Sequence, residues 1–89
     1  MKVLQTKTFL KQKKKLKPNQ LKYLDETVRN LVKDPTIGKQ KIGDLKNIWI
    51  YKFKIFNQLY LLAYQWDEIS RTLIALGVHE NFYRDLKRK

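Results

Sequence analysis

The chain contains one histidine, His79. Imidazole has an ordinary pKa of about 6.5, so it can give and take a proton near neutrality. Lys52 and Lys54 stand two residues apart in a stretch rich in branched and aromatic residues. Residues two apart on a strand share a face, so these two charges point the same way and form a natural cradle for phosphate oxygens. A third cationic surface comes from Lys11, Lys13, Lys14 and Lys15, in a segment whose first 17 residues hold no acid. Each feature also has a plainer explanation. A lone histidine is often just a surface residue, strand lysines solvate an exposed sheet face, and a lysine run is ordinarily the wet side of a helix.

Other chemistries find no support. Cysteine is absent, which removes disulfides and thiolate metal sites and fits a reducing, cytoplasmic compartment. No Cys/His cluster suits zinc, and no glycine loop of the phosphate-cradling type is present. No nucleophile motif surrounds His79. Lys17-Pro18 is a poor match to the turn of a DNA-reading helix pair. No metal or cofactor is expected.

Twenty Lys and Arg oppose eight Asp and Glu, for a net charge of +12. That exceeds what solubility asks of a small domain and creates a field that draws in anions. With 43% apolar residues the chain can still build a core, so it is not a disordered basic tail. Eighty-nine residues make one domain, 1–89. No apolar run approaches the roughly 20 residues that span a bilayer, the start lacks a signal-type core, and no apolar face offers a membrane anchor.

The elements that must position these residues follow from pattern. Val3 to Gln5 reads as a short strand. Thr6 is placed to cap a helix with Phe9, Leu10 and Leu16 on one side and lysines on the other. Pro18 suits the first turn of a second helix, in which Leu21, Leu24, Val28, Leu31 and Val32 recur at helical spacing. Lys33-Asp34-Pro35 ends it. Residues 36–47 read as loop. Ile48 to Ile55 and Leu59 to Trp66 read as strands joined by a turn at Asn57-Gln58. Asp67-Glu68 leads to a third strand, Arg71 to Gly77, and Glu80 to Arg88 forms a last helix. The predicted fold is α+β, in the order β-α-α-β-β-β-α, with a helical hairpin on one face of a small, mainly antiparallel sheet. Trp49, Tyr51, Phe53 and Ile55 then face the helices, and Lys52 and Lys54 face away.

In length, element order and charge the sequence resembles the RelE/ParE superfamily of bacterial toxins from type II toxin–antitoxin modules. Three segments carry the resemblance: Lys41-Ile42-Gly43-Asp44-Leu45, Tyr51-Lys52-Phe53-Lys54 with Leu61-Leu62-Ala63-Tyr64-Gln65, and Leu76 through Leu86. RelE-like and YafQ-like members cut messenger RNA on the ribosome, whereas ParE-like members poison DNA gyrase. Lys52 and Lys54 are similar to the paired strand lysines of RelE. His79 with Tyr83 four places on is similar to the YafQ-like arrangement. Leu61 and His79 stand where RelE has arginines, so the YafQ-like pattern is the better guide.

The resemblance implies a metal-independent endoribonuclease in which the RNA 2′-OH attacks its own phosphate. His79 would transfer protons, Lys52 and Lys54 would stabilise the phosphorane charge, and Tyr83 would stack on a base or orient the 2′-OH. Lys11, Lys13, Lys14, Lys15 and Lys41 would hold RNA through phosphates. The implied partners are an acidic antitoxin protein, the ribosome and mRNA, with operator DNA reached only through the antitoxin complex. Two other functions stay open: a gyrase inhibitor, and a non-enzymatic RNA-binding module.

Overall fold

Thr6 ends the first strand and starts the first helix, as its residue type predicts. The computed structural model describes residues 1–41, 47–80 and 82. Strand β1 is Lys2–Gln5 and helix α1 is Lys7–Lys13. The Thr6 hydroxyl accepts from the Phe9 N–H at 3.0 Å and donates to the Ile74 carbonyl at 2.6 Å. One side chain thus caps α1 and ties it to the sheet. Helix α2 is Pro18–Lys33, with proline at its first position and Gln20 Oε1 accepting from the Lys17 N–H at 2.8 Å. A 3-10 turn, Pro35–Ile37, follows.

Four more strands complete the sheet: β2 Lys39–Gln40, β3 Trp49–Ile55, β4 Gln58–Trp66 and β5 Ser70–Val78. The order across the sheet is β1-β5-β4-β3-β2. β1 runs parallel to β5 and the other pairings are antiparallel. The short β2 corrects the expected loop at 36–47, of which residues 42–46 lie outside the described residues. The turn between β3 and β4 falls at Phe56-Asn57, one residue earlier than expected. The chain is helical at His79, Glu80 and Phe82, and the rest of the expected helix lies outside the described residues. No helix among the described residues is long and apolar enough to cross a membrane.

The sheet buries apolar residues on both faces. On one face α1 lies over β5 and α2 over β3. There Phe9, Leu24 and Leu31 pack with Leu62, Tyr64, Leu73 and Leu76, and Trp49, Tyr51 and Phe53 border the cluster. This is the face expected for the β3 aromatics. Leu10, expected with Phe9, is instead exposed, because the seven-residue α1 has only a narrow inward stripe. On the second face Ile50, Leu61, Ala63 and Ala75 pack under Phe82. A register shift between Ala63 and Tyr64 pairs Ala63 with Ala75 but Tyr64 with Leu73, leaving Ile74 as an extra residue. Through this bulge Leu73 and Leu76, an odd number of residues apart, both reach the helical face.

Arg71 is 6% exposed and locks the β4–β5 connection. Its guanidinium donates to the carbonyls of Asp67 at 2.6 Å and Ser70 at 3.0 Å, and lies over the Trp66 ring. The Asp67 carboxylate accepts from the N–H groups of Ile69 and Ser70, which holds its pKa below the usual carboxylate value.

Candidate functional site

Sheet register decides which cations meet. Lys52 pairs with Leu61, which pairs with Gly77, and Lys54 pairs with Leu59. The last β4–β5 rung is Tyr60 with Val78, so His79 stands one step beyond it, toward Leu59. His79 follows β5 directly and is helical. Lys52, Lys54 and His79 are all exposed. Lys52 and Lys54 form an exposed cationic row along one face of β3. Leu61, which pairs with Lys52, is buried under Phe82.

A second cluster forms at the β2 edge. Lys39 pairs with Ile50, which shares its face with Lys52. Lys39, Lys41 and Lys52 line a cleft of about 290 Å³ together with Gly38 and Ile50. Lys41, expected to hold RNA together with the lysines of residues 11–15, lies instead beside Lys39 and Lys52. Lys39 escaped the sequence reading, because its segment was taken for loop; the alternation Lys39-x-Lys41 was the available signal.

Buried Tyr64 holds this edge in place. Its hydroxyl donates to the Pro35 carbonyl at 2.7 Å and accepts from the Gly38 N–H at 3.0 Å. Burial pushes its pKa up. A Cβ on Gly38 would run into the Tyr64 hydroxyl and come within 2.9 Å of the Ile50 carbonyl, so only glycine lets β2 approach.

The lysines of residues 11–15 are not part of this face. They belong to α1 and the turn after it, on the opposite side of the sheet. Lys11, Lys14 and Lys15 are exposed, as expected. Lys13 is half-buried and lines a groove with Val3, Phe9 and Leu24, because α1 turns that position toward the sheet. Tyr83 lies outside the described residues.

Two helices over a mixed five-stranded sheet, in an α+β domain, match the fold of the RelE-like structures. The family model for the ParE-like toxin of type II bacterial toxin–antitoxin systems matches residues 3–87, and the chain belongs to that family. Among solved structures, the chain resembles one in the intact E. coli RelBE toxin–antitoxin complex with a TM-score of 0.70 at 19% identity, covering 85% of this chain and 93% of that one. The YoeB/ParE toxin from Agrobacterium tumefaciens gives 0.69 at 16% identity, covering 89% and 99%. The isolated E. coli RelE toxin gives 0.67 at 21% identity, covering 98% and 96%. No curated protein sequence matches the chain. The protein is the toxin of a type II module, and its partner is an antitoxin.

Proposed function

We propose that this toxin is a ribosome-dependent endoribonuclease that cleaves mRNA without a metal. The observation that supports the reading is the exposed pair Lys52 and Lys54 on one sheet face, with exposed His79 directly after the last strand. RNA brings its own nucleophile, the 2′-OH. Cleavage then needs that proton removed, the phosphorane charge stabilised and the leaving 5′-oxygen protonated. His79 moves a proton, and Lys52 and Lys54 stabilise the charge. Attack of the 2′-oxygen on phosphorus breaks the bond to the 5′-oxygen and leaves a 2′,3′-cyclic phosphate. Tyr83, four residues after His79, is proposed as the stacking or orienting group. Lys39 and Lys41 extend the phosphate-holding surface, and the antitoxin is proposed to be an acidic chain that neutralises this field.

The ParE-like name of the family model favours a second reading, inhibition of DNA gyrase by binding. Primer extension on mRNA in a translating extract, run beside a gyrase supercoiling assay, separates them. New 5′ ends with unaffected supercoiling are expected. Blocked supercoiling with intact mRNA would establish the gyrase reading instead.

A further inference from the structure

Edge strand β2 brings its lysines to the sheet face that carries Lys52. Residues opposite each other on antiparallel strands share a face, so Lys39 lies on the face of its partner Ile50. Lys41, two residues on, returns to that face. Lys52 is the diagonal neighbour of Lys39 across the pair, near enough for two long side chains to meet. All three lysines line one cleft of about 290 Å³, with Ile37 and Ile50 as apolar walls. Among the described residues, no acid lines this cleft. Like charges on neighbouring strand positions repel, so the arrangement of Lys39 and Lys52 costs stability until an anion sits between them.

The edge that carries these charges is held at both ends. Before β2, the Gly38 N–H donates to the Tyr64 hydroxyl at 3.0 Å. After it, the Lys41 N–H donates to the Ile48 carbonyl at 2.8 Å. The backbone under the lysines is thus ordered before any ligand arrives, which lowers the cost of binding. Lys39 and Lys52 are exposed, so a ligand can reach them from solvent. Isoleucine walls keep water back and strengthen the pull of the ammonium groups on a seated anion.

We propose that this cleft binds a compact oligophosphate, either inorganic or carried at the 5′ position of a nucleotide. An oligophosphate places several negative charges on adjacent phosphate groups, which matches three lysines around one small cavity. A nucleic-acid strand spreads its charges along its length and is matched instead by the open row of Lys52 and Lys54. Lys52 belongs to both, so an occupied cleft draws one lysine out of that row.

Isothermal titration calorimetry of the full chain with sodium tripolyphosphate tests this, in about 0.15 M salt to screen diffuse attraction. One ion per chain is expected, bound more tightly than orthophosphate. Lys39→Ala should weaken it roughly 10- to 100-fold, as the loss of a hydrogen bond between charged groups does. Lys39→Gln, which keeps the stem and removes the charge, should lose as much, and Lys39→Arg should retain most of the affinity. Joint replacement of Lys11, Lys14 and Lys15 by Ala removes three charges elsewhere and should leave binding close to wild type. ATP binding tighter than tripolyphosphate assigns the site to a nucleotide; equal or weaker binding assigns it to the inorganic chain. No binding by wild type, or wild-type affinity in Lys39→Gln, overturns the proposal. Equal affinity for orthophosphate overturns the match to linked phosphates. A loss in the triple variant as large as in Lys39→Gln overturns the site as well, since attraction to the whole basic surface would then explain it. The titration contains no RNA, so each of these failures leaves the nuclease reading standing.

Discussion

Gln12 Oε1 accepts a hydrogen bond from the Leu76 N–H at 2.7 Å, joining positions 64 residues apart in sequence. β1 stops at Gln5, opposite Leu73, so β5 runs on with no strand on that side. The Thr6 hydroxyl takes up the Ile74 carbonyl and the Gln12 amide takes up the next free donor. Helix α1 thereby satisfies a strand edge that would otherwise stay open.

The first prediction concerns that bond. Gln12→Leu keeps the side chain's bulk but leaves the N–H of buried Leu76 without a partner. Leaving a buried donor unpaired costs about 1–3 kcal/mol. Urea unfolding should show the unfolding free energy lowered by that amount, as a lower midpoint with an unchanged slope. Gln12→Glu keeps an acceptor and should lose less. Equal stability of Gln12→Leu and wild type would show that water serves Leu76 as well.

Tyr64 supplies a second, with a pH signature. Tyr64→Phe strips partners from the Pro35 carbonyl and the Gly38 N–H, again at about 1–3 kcal/mol. The folded-state pKa of Tyr64 is raised above its unfolded value. The unfolded chain therefore releases this proton first as pH rises. Stability from Tyr64 is complete below about pH 10 and is lost above it, as pH rises toward the folded pKa. Alkaline melts of wild type should fall more steeply above pH 10 than those of Tyr64→Phe. Parallel curves would remove Tyr64 from the alkaline transition. Gly38→Ala should loosen β2 and weaken phosphate binding in the Lys39–Lys41 cleft, measured with a short 2′-O-methyl RNA.

Much of this was legible in local pattern. Thr6 and Pro18 announced the helix starts, and the period-two run from Trp49 to Lys54 separated the helix-facing aromatics from Lys52 and Lys54. What escaped depends on contacts distant in sequence. β2 has two residues and is held by Tyr64, on another strand, so no local signal distinguishes it from loop. β5 breaks alternation because Ile74 is a bulge, which explains why Leu73 and Leu76 cannot be assigned to one face by counting. The β3–β4 turn was placed one residue late because Phe56, rather than an expected turn residue, takes the positive φ. In the candidate site, the shared face of Lys52 and Lys54 was readable. The meeting of Lys39 and Lys41 with Lys52 was not, since it follows from the pairing of β2 with β3.

The exposed lysines beyond the sheet face yield a third prediction. Lys11, Lys14 and Lys15 are exposed, whereas Lys13 lines a groove and is left in place. If the three contact ribosomal RNA phosphates, replacing them with Ala should lower the salt dependence of ribosome binding by about 0.7–0.9 in log–log slope per lost contact. Thermal stability should stay close to wild type, because surface charges contribute little to it. An unchanged slope would return them to the wet face of a helix.

The sharpest prediction concerns His79. Its side chain is exposed at the start of a helix, so His79→Ala should fold like wild type and still bind the antitoxin. Loss of a general acid or base costs about 10²–10⁴-fold, and mRNA cleavage in a translating extract should fall in that range. Lys54→Ala should also slow cleavage, through loss of charge stabilisation rather than of proton transfer. Combining the two separates their roles further. Groups acting on one transition state through one phosphate should lose less together than the product of their separate losses. A well-folded His79→Ala toxin that cuts at the wild-type rate would take the imidazole out of the reaction and leave the lysines to carry it.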